Sequence, residues 1–145
     1  MATVELRFSA LPEHVRTARL VAAAVARRAG VDEAVLDEVR LAVGEACSRA
    51  VGLHESHDIE EPVRVLLIED EKKFSIEVGD GVSGDSGTSG GADENGGAAE
   101  SDAEGEDEMG LAVISGLVDD VEVTAGKDGG LIRMTWPTAT AAVLP

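Results

Sequence analysis

Between Gly81 and Glu108 the chain reads GVSGDSGTSGGADENGGAAESDAEGEDE, with nine acidic residues, eight glycines and no lysine or arginine. A stretch of this composition carries too little apolar surface to offset the entropy of ordering it. Any core must therefore be assembled from the residues before it and after it, brought together across the gap. We read residues 82–108 as a disordered Gly/acidic insert in a single domain covering 1–145, because loops of this length in compact domains are functional lids or disordered segments. The full chain has 145 residues, 29 acidic and 12 basic side chains, and a formal net charge of −17. Such a charge repels phosphate backbones and anionic lipid, which excludes direct nucleic-acid binding and membrane-surface binding. Tyrosine is absent and the aromatic residues are Phe8, Phe74 and Trp136, too few for a base-stacking platform. The single Cys47 forms no internal disulfide. Met1 to Glu5 lacks the basic and apolar regions of a signal peptide, and the apolar run Leu20 to Ala26 is too short to cross a bilayer. The expected location is the cytoplasm.

Apolar periodicity supplies the elements. Val4, Leu6 and Phe8 alternate with Thr3, Glu5 and Arg7, the pattern of a strand. Pro12 opens a helix and Gly30 closes it, with Val15, Ala18, Ala22, Val25 and Ala29 as its buried stripe. A second helix runs from the N-cap Asp32 to about His54, burying Val35, Val39, Ala42, Val43, Ala46 and Ala50. Val63 to Glu69 and Phe74 to Val78 read as strands joined by the charged turn 70–73. After the insert, Gly110 to Val118 has helical spacing. Val121 to Thr124 and Leu131 to Trp136 then form a hairpin across 126–130. This order predicts an α+β sandwich in which about three helices cover one face of a mostly antiparallel sheet.

Four places could carry chemistry. Glu45 and Arg49 are four apart on the second helix and share a face. Glu45 is either a general base in a cleft or half of a solvent-facing ion pair. Asp80, flanked by Gly79 and Gly81 at a strand end, either accepts a hydrogen bond from a ligand amine or serves the turn. Gly110 at a helix start could bring backbone N–H groups to a phosphate, yet Glu106, Asp107 and Glu108 stand at the same terminus and cap it themselves. His54 and His57 lack the further ligands a metal site needs, and Cys47 is expected to be buried and inert.

Taken in order, these pieces resemble a known family. Leu6-Arg7-Phe8-Ser9-Ala10-Leu11 with Ala18-Arg19 resembles the opening of the anti-sigma factor serine kinases, the SpoIIAB/RsbW type of the GHKL ATPase superfamily. Ala42-Val43-Gly44-Glu45-Ala46-Cys47-Ser48-Arg49-Ala50-Val51 resembles their N-box, S-E-A-x-T-N-A. Asp80 stands where the family places its adenine-recognising aspartate. Met109 to Ile114 and Val118 to Val121 resemble the helix after the ATP lid and its following strand, and Gly129 to Thr135 the final strand.

The resemblance implies a Bergerat-type two-layer sandwich with a long acidic lid, and ATP and magnesium as cofactors. As partners it implies a sigma factor, a STAS-domain anti-sigma antagonist and a second copy of the chain in a homodimer. It makes Glu45 the general base, Asp80 and Gly110 nucleotide contacts, and Arg19, with Arg16 beside it, the partner-docking residues. The departures are equally specific. The magnesium-binding asparagine falls at Arg49, whose guanidinium has donors only and could touch phosphate but not ligate a cation. A lid-exit glycine falls at Glu108, a phosphate-side arginine at Glu106, and the threonine of the last hairpin at Gly130. The expected function is therefore an anti-sigma regulator acting by stoichiometric binding, with the kinase function degraded and no metal site. The alternatives are an active serine kinase using ATP, with Arg49 on the phosphate, and an unrelated acidic interaction module.

Overall fold

The computed structural model describes residues 2–82, 111–118, 120–127 and 129–138. Strand β1 (Ala2–Phe8) leads into helix α1 (Glu13–Ala29), a 3-10 turn (Glu33–Val35) and helix α2 (Leu36–Ser56). Strands β2 (Val63–Glu69) and β3 (Lys73–Gly79) follow, then helix α3 (111–117) and strands β4 (Asp120–Gly126) and β5 (Gly129–Pro137). The five strands form one sheet in the order β1-β2-β3-β5-β4, and every neighbouring pair is antiparallel. Helices α1 and α2 pack on each other and on β2 and β3. This is the expected sandwich.

Alternation along the strands decides which face the helices cover. Val65, Val78 and Ile132 are register partners across β2, β3 and β5, as are Leu67, Ile76 and Met134. All six are buried and form the sheet side of the core, and Ile114 of α3 and Val118 just after it join the same cluster. The same register places Arg7, Arg64, Gly79 and Leu131 in a row on the opposite face. The helix side of the core is built from small residues. Ala18, Ala22 and Ala26 of α1 and Ala42, Ala46 and Ala50 of α2 are all buried, and side chains this short let the two helices approach closely.

Three details differ from the expected elements. On α1 the fully buried ridge is Ala18, Ala22 and Ala26, whereas Val25 and Ala29 are half-buried. Steps of four along a 3.6-residue helix carry the ridge toward Ala26, which suits the alanines of α2. The carboxylate of Asp32 does cap a turn, accepting the Ala34 N–H at 3.0 Å, but that turn is 3-10 and the α-helix begins at Leu36. The last hairpin is tighter than a five-residue connection, because Gly126 and Gly129 are themselves paired. Gly129 adopts φ of 126°, and a side chain there would collide with the Asp80 carbonyl, 2.0 Å from an added Cβ. The expected insert from residue 83 onward, with Glu106, Glu108 and Gly110, lies outside the described residues. No helix among the described residues is long and apolar enough to cross a membrane.

Candidate functional site

Strand β3 ends at Gly79, and the turn that follows is held by Asp80. Its backbone N–H donates to the Gly130 carbonyl at 3.0 Å. Its Oδ1 accepts from the Val82 N–H at 2.8 Å and from the Gly130 N–H at 3.3 Å. The first of these side-chain bonds is the turn chemistry expected of an aspartate between glycines. The second was not legible in the sequence, since it clasps the end of β3 to the start of β5 across 50 residues. The carboxylate is 5% exposed. A Cβ on Gly130 would lie 2.8 Å from Asp80 Oδ2, so the carboxylate fills the space in which a threonine side chain would start.

A second support comes from the C-terminal end of α2. His54 is 1% exposed, and its ring bridges two backbone segments. Nδ1 lies 3.0 Å from the Glu61 carbonyl, while Nε2 accepts the Gly81 N–H at 2.8 Å. A carbonyl only accepts and an N–H only donates, so these partners select the neutral ring with its hydrogen on Nδ1. His54 thereby ties α2 to the turn that carries Asp80. In the sequence it stands out only as a candidate metal ligand three residues from His57. The readable signal was helical spacing, because His54 continues the buried line Val43, Cys47, Ala50. His57 is exposed and bonds the Leu53 carbonyl of its own helix. Cys47, within this line, is buried, and burial pushes its thiol up to about 12.

Glu45 and Arg49 share α2 but form no ion pair, as their spacing would have allowed. Arg49 turns instead toward Asp80, with Nη1 3.9 Å from Oδ2 and only 18% of its side chain exposed. Its Nε is buried and, among the described residues, has no hydrogen-bond partner. Half-buried Glu45 borders a groove of about 520 Å³ between α1 and α2, together with Arg16, Arg19, Leu41 and Ser48. The stem of Arg19 lies across Gly44, where an added Cβ would come within 2.8 Å of Arg19 Cδ. Asp80 borders a different cavity, about 730 Å³, with Arg7, Arg64, Gly79 and Gly130. Three of the sequence candidates, Arg16, Arg19 and Glu45, thus meet in one groove, while Arg49 and Asp80 meet in another place.

This arrangement does not fit a magnesium ion. Among the described residues no cluster of three or more His, Cys, Asp or Glu side chains could hold a metal. The residue expected to ligate it, Arg49, presents only donors and a fixed positive charge. The buried, unpartnered Nε of Arg49 does fit an anionic group such as a phosphate.

Comparison with known proteins agrees with the architecture. The family model described as the histidine kinase-like ATPase domain matches residues 8–136. A protein named serine-protein kinase RsbW, from Bacillus pumilus (strain SAFR-032), is 33% identical over 136 residues, which cover 91% of this chain and 83% of that protein. Among solved structures, the RsbU and RsbW domains of Rv1364c from Mycobacterium tuberculosis superpose with a TM-score of 0.64 at 16% identity. That alignment covers 93% of this chain and 32% of the solved one, so the present chain spans about a third of its length. At this identity the likeness is one of fold.

Proposed function

Because this chain belongs to the histidine kinase-like ATPase family, on its RsbW/SpoIIAB-like branch, we propose that it is an anti-sigma regulator whose phosphoryl-transfer function is degraded. It works in the cytoplasm by stoichiometric binding of a sigma factor, a STAS-domain antagonist, or both, and so regulates transcription without chemistry. The observation that carries this reading is the Arg49–Asp80 contact. A cation-repelling guanidinium takes the position of the metal ligand, and the carboxylate expected to read the base is already held by two backbone N–H groups. A kinase needs its metal and its donors aligned on the transferred phosphoryl group, and losing either removes most of the rate.

The groove between α1 and α2 is the docking surface in this reading. Arg16 and Arg19 are exposed there, on a chain with few positive charges. Glu45 in the same groove favours the second reading, an active serine kinase, because a partner seated on Arg19 would bring its own serine near that carboxylate.

Arg19→Glu tests the surface. It should weaken affinity for the cognate sigma factor or antagonist by about 2 kcal/mol or more, since an attractive interfacial contact becomes repulsive. The melt should move little, because an exposed charge swap changes stability by about 0.5 kcal/mol or less. Unchanged affinity for both partners with an unchanged melt would place the docking surface elsewhere.

A further inference from the structure

The strongest unexplained feature of the molecule is the state of Arg49. A guanidinium offers five N–H donors in a fixed plane and no acceptor. Here it is 18% exposed, and its Nε is buried without a partner. Among the described residues its charged neighbour is Asp80, at 3.9 Å, which is beyond hydrogen-bond distance. Withdrawing a guanidinium from water for one loose contact is unfavourable, because the buried donors lose hydration and gain no acceptor.

Asp80 is not free to close the gap. Its Oδ1 is bonded by the N–H groups of Val82 and Gly130, and its Oδ2 sits tight against Gly130. The turn behind it is fixed in turn by His54 on the Gly81 N–H. Among the described residues the guanidinium therefore has a buried Nε without an acceptor and lies beside a carboxylate that is itself fixed. Pre-oriented donors of this kind match an oxyanion with several acceptor atoms, and phosphate groups are the ligands that a planar guanidinium grips in bidentate fashion.

We propose that Arg49 is a built-in cation that binds the phosphate groups of a nucleoside di- or triphosphate directly, so that this chain takes its nucleotide without a metal ion. The proposal rests on reading the α2–β3 junction as a nucleotide site. In that role the guanidinium supplies in fixed form the positive charge that a bound cation would otherwise bring, and a cation entering beside it meets repulsion. The nucleotide is then a ligand and not a phosphoryl donor, which is compatible with partner binding as the whole of the protein's activity.

The test is calorimetric titration of the full chain with ATP and with ADP, in EDTA and then in excess magnesium. The expected result is saturable binding in EDTA that magnesium leaves unchanged or weakens. Arg49→Met, which keeps the length and removes the charge, should raise the dissociation constant in EDTA by about tenfold or more, as expected for loss of a charge-assisted bidentate contact. Arg49→Lys should fall between the two. If Arg49→Met does not fold, the wild-type comparison with and without magnesium decides alone. The proposal is overturned by affinity that magnesium tightens by about tenfold, by undiminished or improved binding in Arg49→Met, or by absence of binding to either nucleotide at millimolar concentration. Inorganic tripolyphosphate serves as the control for source, and affinity equal to that of ATP would overturn the nucleotide assignment. Loss of this proposal leaves the partner-binding reading standing, whereas phosphate transfer to an antagonist would remove that reading whatever the titration gives.

Discussion

Adding a methyl group at Gly130 perturbs the clasp around Asp80 at one atom. The new Cβ would lie 2.8 Å from Oδ2 and 3.4 Å from both Cγ and Oδ1, closer to Oδ2 than carbon and oxygen tolerate. An unpinned carboxylate would swing away at little cost. This one is held by the Val82 and Gly130 N–H groups and is 5% exposed, so moving it breaks bonds that water replaces poorly. A hydrogen bond to a charged group contributes about 1.5–3 kcal/mol net. The Gly130 bond is long at 3.3 Å and falls at the low end of that range. Replacing glycine by alanine within a strand returns about 0.5–1 kcal/mol. Gly130→Ala should therefore cost about 1 kcal/mol, read as a fall of about 0.5 M in the urea midpoint for a domain of this size. The same substitution in an Asp80→Ala background should be neutral or stabilising, because the obstructing carboxylate is gone. A double-mutant cycle on urea melts measures the difference. Equal cost in both backgrounds would place the clash with some group other than Asp80.

One further substitution and one reagent probe the same neighbourhood. His54→Leu leaves the Gly81 N–H and the Glu61 carbonyl without partners, and should destabilise by about 2–4 kcal/mol with faster hydrogen exchange at Gly81. Unchanged protection of the Gly81 amide would show that the imidazole does not hold the turn. Cys47, whose thiol burial pushes up to about 12, should resist alkylation at pH 8 in the native protein and react once unfolded in urea. The unfolded thiol loses its proton near pH 8.5 and the folded one does not, so stability should decline as pH rises above that value. Rapid native labelling would contradict the burial.

The sheet was legible because period-2 alternation survives in β1, β2, β3 and β5, and a charged turn joins β2 to β3 while glycines mark the turn from β4 to β5. Helix α1 was bounded correctly by Pro12 and Gly30, yet its most buried ridge was misplaced. Alanines give a weak hydrophobic signal, and packing against α2 decided between the Val25 and Ala26 faces. The site was legible by residue type and order, not by geometry. Nothing local told that Arg49 would reach Asp80, 31 positions on, or that Asp80 would accept from Gly130. His54 was hidden for a related reason. Its two partners are backbone groups from separate segments, and backbone groups leave no mark in a sequence. The same limit applied to Glu45, whose spacing from Arg49 allowed an ion pair that the longer reach to Asp80 displaced.

In the proposed role this chain regulates by holding a partner and not by modifying it. The direct measurement mixes the chain with its cognate STAS-domain antagonist and γ-labelled ATP in excess magnesium, then follows complex formation and label on the antagonist in the same samples. The expected result is a stoichiometric complex with no label above the protein-free control, and no gain of label from Arg49→Asn, because Asp80 would remain clasped and Gly130 unchanged. Transfer of label to a serine of the antagonist by the unaltered chain would contradict it.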